Sequence, residues 1–337
     1  MHHNPITATL DFNRDGIQHG FLRLPHSRDD SAWGAIMIPI TQMKNGEGPT
    51  ALITGGNHGD EYEGPVALFN FAGRTDISDI HGRVIVIPAM NYPAFQSATR
   101  VSPIDGLNLN RIFPGKPDGS VTQIIADYFI HTLLPMADYV LDIHSGGKTL
   151  DFIPFSASHI LDNKQQQDKC ESAAEAFNAP YRVKMLEIDA GGLYDTHVEH
   201  AGKIFITTEL GGGGTTTPET VAVAKRGVDN FLIHAGILDG NIQKPIKNPV
   251  CLDMPDYRSY VFSEHTGLVE PCVSLGDMVK EGDLLARIHI VERTAVPPYQ
   301  YFARRDGMII ARHVPSLIKI GDCLNVIGEV MDQNAIR

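Results

Sequence analysis

The sequence predicts an α/β fold: a mixed sheet flanked by helices, followed by a smaller all-β, barrel-like C-terminal domain. Three observations lead there. Short apolar runs alternate with helix-period segments from Pro5 to Gly240, which is the signature of strands and helices packed in layers. Near Asn241–Pro255 the composition shifts to proline, and beyond it glycines at 267, 276, 282, 307, 321 and 328 punctuate short β-like pieces. The residues that can do chemistry follow strands, where sites in such sheets lie. The expected division is 1–245 for the catalytic part and 250–337 for the all-β part.

The elements follow in order. Gly20–Leu24, Ala35–Ile40 and Thr50–Thr54 read as strands, the last a short apolar run stopped by Gly55-Gly56. Glu63–Ala72 suits a helix through Val66, Ala67, Phe69 and Phe71. Arg83–Pro88 is a second buried strand. Thr122–Leu134 reads as a helix, with Val121, Ile124, Ile125, Tyr128 and Phe129 at helical spacing and Pro135 closing it. Tyr139–Ile143 and Lys203–Thr208 are further strands, and Pro218–Ala235 is a helix.

Composition narrows the function. Across 337 residues, 42% are hydrophobic and 20% charged, enough for a packed core. A net charge of -12 argues against nucleic acid and anionic membrane as partners, since both need a cationic face. No apolar run is long enough to span a bilayer, and the first residues lack the pattern of a secretory signal. The cysteines at 170, 251, 272 and 323 are scattered and read as reduced thiols, so a cytoplasmic location is expected.

The segment GGNHGDEYEG follows the Thr50–Thr54 strand. Its His58 and Glu61, three apart, share a face if the turn is helical. An imidazole and a carboxylate suit Zn²⁺, and a catalytic zinc takes three protein ligands. The third is expected from another strand end, where DIHSGG supplies His144; Asp142 points the same way along the strand and can orient that imidazole. An HxxE pair alone is weak evidence among 15 histidines, whereas two strand-end motifs together are specific. The histidines at 81, 131, 197, 200, 234 and 313 read as surface or core residues.

Hydrolysis at a zinc centre also needs a proton acceptor and positive charge near the developing oxyanion. Glu209 closes the Lys203–Thr208 strand and is the candidate base. Gly211–Gly214 behind it lacks the Lys-Ser/Thr of a phosphate loop and reads as a flexible cleft wall. Arg100 and Arg111 lie in a loop-rich stretch; Asn110-Arg111 offers an amide and a planar donor fork for a substrate carboxylate, a structural salt bridge being the alternative for Arg111.

Taken together, GGNHGDEYEG, NLNRIFPG, DIHSGG and TTELGGGG resemble the succinylglutamate desuccinylase and aspartoacylase family of the zinc carboxypeptidase-like superfamily. The resemblance covers roughly residues 30–240 and continues into the tail. It implies one zinc held by His58, Glu61 and His144, Glu209 as general base, Arg100 polarising the scissile carbonyl, and Asn110 with Arg111 holding the substrate carboxylate. NYPAF, LEIDAGGLYDT and DGLNLNRIFPGKPDG resemble the branch that deacetylates N-alpha-acetyl-L-2,4-diaminobutyrate in ectoine breakdown. The expected partner is then a small N-acyl amino acid, with a homo-oligomer left open. Glu187, Asp189 and Asp195 are weak candidates for holding the second amine, a plain surface role being the favoured reading of each. Rival readings are a deacylase of N-acetylaspartate or N-succinylglutamate type, and a zinc-binding module without turnover. The tail's GDMVKEG and Asp306-Gly307 resemble turns of a lipoyl- or biotinyl-type barrel, but PPYQYFARRDG has no lysine to modify, so the tail reads as structural.

Overall fold

A computed structural model describes residues 3–185, 191–244 and 248–331. The predicted strands all form, several of them longer than expected. Gly16–Pro25 pairs antiparallel with Ala35–Asn45 along its whole length, and Ala35–Asn45 pairs antiparallel with Gly82–Ile87. Then come the strands that matter for function. Gly82–Ile87, Thr50–Gly55, Tyr139–His144 and Ile204–Glu209 lie side by side, all parallel. Phe155–Ser158 runs antiparallel to Ile204–Glu209 and pairs parallel with Tyr181–Lys184.

Alternate residues of the parallel strands feed two cores, because side chains alternate across a sheet. Ala51, Ile53, Leu141, Ile143 and Ile206 join Phe71, Phe177, Val228 and Phe231 from the helices Glu63–Arg74, Lys164–Phe177 and Pro218–His234. Leu52, Val140 and Phe205 join Tyr128, Phe129 and Tyr194 on the other face. Burial on both faces is why these strands read as continuous apolar runs.

The helix expected over Thr122–Leu134 is regular only over Val121–Tyr128. It widens over Phe129–Leu133 and tightens over Leu134–Met136, where Pro135 has no N–H to continue the ladder.

Past residue 250 the chain is β-rich, as expected. Val250–Asp253, Cys323–Val330, Gly307–His313 and Met278–Val279 extend the large sheet. Tyr299–Phe302, Leu284–His289, Gly267–Pro271 and Leu317–Ile318 form a separate antiparallel sheet. Leu150–Phe152, just after His144, pairs with Gly307–His313, with Ala311 opposite Phe152. That ladder ties the tail to the site.

Candidate metal centre and substrate pocket

Three adjacent parallel strands end together, and each delivers one part of the site. Gly55 is in register with Ile143, and Glu209 with His144. The chain leaving Gly55 turns sharply at Gly56, whose φ is +65°, and reaches His58 and Glu61 before the helix at Glu63 begins. The expectation of a shared helical face for His58 and Glu61 is therefore corrected: residues 56–62 form an irregular turn. Gly59 is essential to that turn. A Cβ there would sit 2.0 Å from the carbonyl carbon of Ala94, and its N–H donates to the Thr99 carbonyl at 3.0 Å.

The turn places His58 Nδ1 2.7 Å from Glu61 Oε1, and His144 Nδ1 lies 2.9 Å from Glu61 Oε2. The three donor atoms fall within 4.8 Å of one another, and all three residues are buried. His144 Nε2 meets Asp142 Oδ2 at 2.8 Å, so that nitrogen is engaged and Nδ1 is turned inward. Asp142 is fixed in turn by the Thr54 hydroxyl at 2.6 Å and the Asn57 amide at 3.0 Å. Two imidazoles and a carboxylate, with the outer nitrogen of one ring pinned by a carboxylate, are a donor set that fits Zn²⁺.

Charge is concentrated here against the cost of burial. Burial works against ionised Glu61, but the His58 and His144 rings outweigh it and hold the carboxyl far below the usual range. Burial pushes His58 down to about 4, Glu61 offsetting part of the effect. Burial also opposes charge on His144, but Asp142 and Glu61 raise its pKa well above the ordinary value. Glu209 is pushed up to about 8, first by burial and then by the charge of Glu61. Its Oε2 is buried with no hydrogen-bond partner among the described residues. A carboxyl in that condition exchanges a proton near neutrality.

These groups open on one cavity of about 260 Å³. His58, His144, Glu209, Arg100, Asn110 and Arg111 all line it, and Glu61 sits behind them, 2% exposed. The seven site residues expected from the sequence are thus brought together. Arg100 reaches within 3.4 Å of Glu61 Oε1. Asn110 Oδ1 accepts the backbone N–H of Tyr194, and Arg111 Nη1 donates to the Asn110 carbonyl. Of the residues expected near a second amine, Asp195 lines the cavity; Glu187 and Asp189 lie outside the described residues.

Sequence reasoning missed the walls. Leu150, Phe152 and Phe155 line one part of the cavity, and Met254, Tyr260, Phe262, Cys323 and Val326 from the tail line another. Apolar side chains carry no chemical motif, so nothing local marked them. The reading of Gly211–Gly214 as a flexible wall is also corrected. All four glycines have positive φ, and the run is tied to the 146–152 segment by backbone bonds at Gly146, Phe152, Gly213 and Gly214.

Against known proteins, the model of the succinylglutamate desuccinylase/aspartoacylase catalytic domain matches residues 47–235. The chain belongs to this family. Across 98% of its length it is 56% identical to the N-alpha-acetyl-L-2,4-diaminobutyric acid deacetylase of Halomonas elongata, covering 96% of that protein. The product-bound structure of the ectoine utilization protein EutE (DoeB) from Ruegeria pomeroyi is 58% identical, with a TM-score of 0.95 over 98% of this chain and all of that one. A more distant family member, a succinylglutamate desuccinylase/aspartoacylase from Rhodobacter sphaeroides, is 39% identical and still superposes with a TM-score of 0.94, covering 98% of this chain and all of that one.

Proposed function

We propose that this protein is a zinc-dependent amidohydrolase that converts N-alpha-acetyl-L-2,4-diaminobutyrate and water into acetate and L-2,4-diaminobutyrate, a step of ectoine breakdown in the cytoplasm. One observation carries the reading: the donor atoms of His58, Glu61 and His144 converge beside a single cavity that His58, His144, Glu209, Arg100, Asn110 and Arg111 line. The likeness to the Halomonas elongata deacetylase over nearly the whole of both chains supports the choice of substrate.

In this reading His58, Glu61 and His144 hold the zinc, and Asp142 keeps the His144 ring oriented. When bound, the ion supplies Lewis-acid polarisation of the amide and a more acidic water. Glu209, its pKa pushed up to about 8 by burial and by the charge of Glu61, can take and return a proton near neutral pH. Glu209 takes the proton of the attacking water and later returns it to the departing nitrogen. Arg100 donates to the carbonyl oxygen as negative charge develops there. Asn110 and Arg111 hold the α-carboxylate, which fixes the amide relative to Glu209. The apolar walls exclude bulk water.

The chain is read as two units, 1–245 carrying the chemistry and 250–337 a barrel-like β body that roofs the cleft. The apolar cluster around Leu285, Ile288, Ile309 and Ile327 supports a separate core for the second unit.

The test is metal analysis of the purified protein together with a panel of N-acetyl-diaminobutyrate, N-acetylaspartate and N-succinylglutamate. About one zinc per chain and a strong preference for the first compound are expected. Preference for either acidic substrate moves the protein to another branch of the family. Zinc without turnover of any of them removes the hydrolase reading.

A further inference from the structure

The substrate proposed above differs from most N-acyl amino acids by one charge, the protonated amine at the end of a two-carbon side chain. An ammonium entering a largely apolar cavity needs a carboxylate to meet it. Among the described residues two acids line the cavity, Glu209 and Asp195. Glu209 belongs beside the amide, where it handles protons. Asp195 remains.

Asp195 is 7% exposed and stands in the first turn of the helix Tyr194–His200. Its Oδ1 accepts the Thr196 N–H at 2.6 Å and the Thr196 hydroxyl at 3.4 Å. No ion pair to it is formed among the described residues, although a carboxylate this deeply placed ordinarily has one. The preceding residue, Tyr194, donates its backbone N–H to Asn110 Oδ1 at 2.9 Å. That bond fixes the proposed carboxylate anchor and the acid relative to each other. A substrate held at Asn110 and Arg111 therefore lies in the same part of the cavity as Asp195, with apolar Leu193 and Met185 also in the wall.

We propose that Asp195 is the specificity-determining residue that receives the side-chain ammonium of the N-acetylated diamino acid. The assignment rests on the function proposed above. Its rival is a purely local role, since an acid in the first turn of a helix also complements the helix dipole.

The experiment compares zinc-loaded wild type, Asp195→Asn and Asp195→Ser on N-alpha-acetyl-2,4-diaminobutyrate and on N-acetylnorvaline, its uncharged isostere. With the variants, kcat/KM on the cationic substrate is expected to fall by about 30-fold or more, mainly through KM. On the neutral one it stays within about threefold, the range of a conservative polar swap. An equal fall on both substrates, or no fall on either, overturns the assignment. Inhibition of the wild type needs no variant to fold: L-2,4-diaminobutyrate should bind about 30-fold more tightly than norvaline, and equal inhibition again overturns it. A wild type that cleaves only acidic N-acyl amino acids overturns the substrate reading and this assignment together. A wild type that cleaves the diamino compound, with variants that keep its preference, overturns this assignment alone.

Discussion

Glu61 is buried and Glu209 half-buried, and both carboxylates feel the charge of His144, yet their environments drive them in opposite directions. Glu61 touches both imidazoles and stays ionised. Glu209 has an oxygen with no hydrogen-bond partner among the described residues, and its pKa is pushed up to about 8 by burial and by the charge of Glu61. One acid is thereby suited to a fixed ligand and the other to proton traffic. Glu209→Gln keeps the shape and removes the titration. Zinc content should stay at about one per chain while kcat falls by about 10³-fold, the scale of a lost general base. Near-normal turnover takes Glu209 out of the mechanism.

Among the elements, the turn from Gly55 to Tyr62 is the most constrained. Its shape depends on the close approach of Gly59 to the backbone of Ala94, a contact that leaves no room for a methyl group. Gly59→Ala should destabilise the protein by about 1–3 kcal/mol in urea unfolding, because backbone must move to admit the Cβ. It should also weaken zinc binding, since His58 immediately precedes it. Unchanged stability would mean that the turn is softer than this contact implies. The same element shows what sequence can disclose. The strand ends were legible because Thr50–Gly55, Tyr139–His144 and Ile204–Glu209 are short, apolar and followed by glycine and polar residues. The path of the turn was not, since HxxE spacing suits a helix equally well. The helix Lys164–Phe177 escaped notice because its buried face is mostly Ala173, Ala174, Ala176 and Cys170, too small to mark a period. Its ends were legible in hindsight: Asn163 caps one, and Asn178, with φ +65°, ends the other. Phe155–Ser158 and Tyr181–Lys184 are only four residues each and carry too few alternations to stand out.

At the scale of the molecule, no helix among the described residues is long and apolar enough to cross a membrane. The proposed zinc would couple stability to metal occupancy, because His58, Glu61 and His144 are buried together with their donor atoms converging. Removing the metal with a chelator should lower the melting temperature. Restoring zinc at hundred- to thousand-fold above its Kd should return about 3 to 4 kcal/mol, as mass action requires. Magnesium should not substitute, since it prefers oxygen ligands in octahedral geometry. A melting temperature indifferent to chelation would separate folding from the metal altogether.

The cavity's far wall is made of Met254, Tyr260, Phe262, Cys323 and Val326, the last two on the strand Cys323–Val330 that ends the described fold. In the proposed reading every ligand and the base lie before residue 245, while these five wall side chains all come from beyond it. Chemistry and enclosure are thus encoded in separate stretches of the chain, and a version cut at residue 245 would keep the donor set without the wall that these five side chains form.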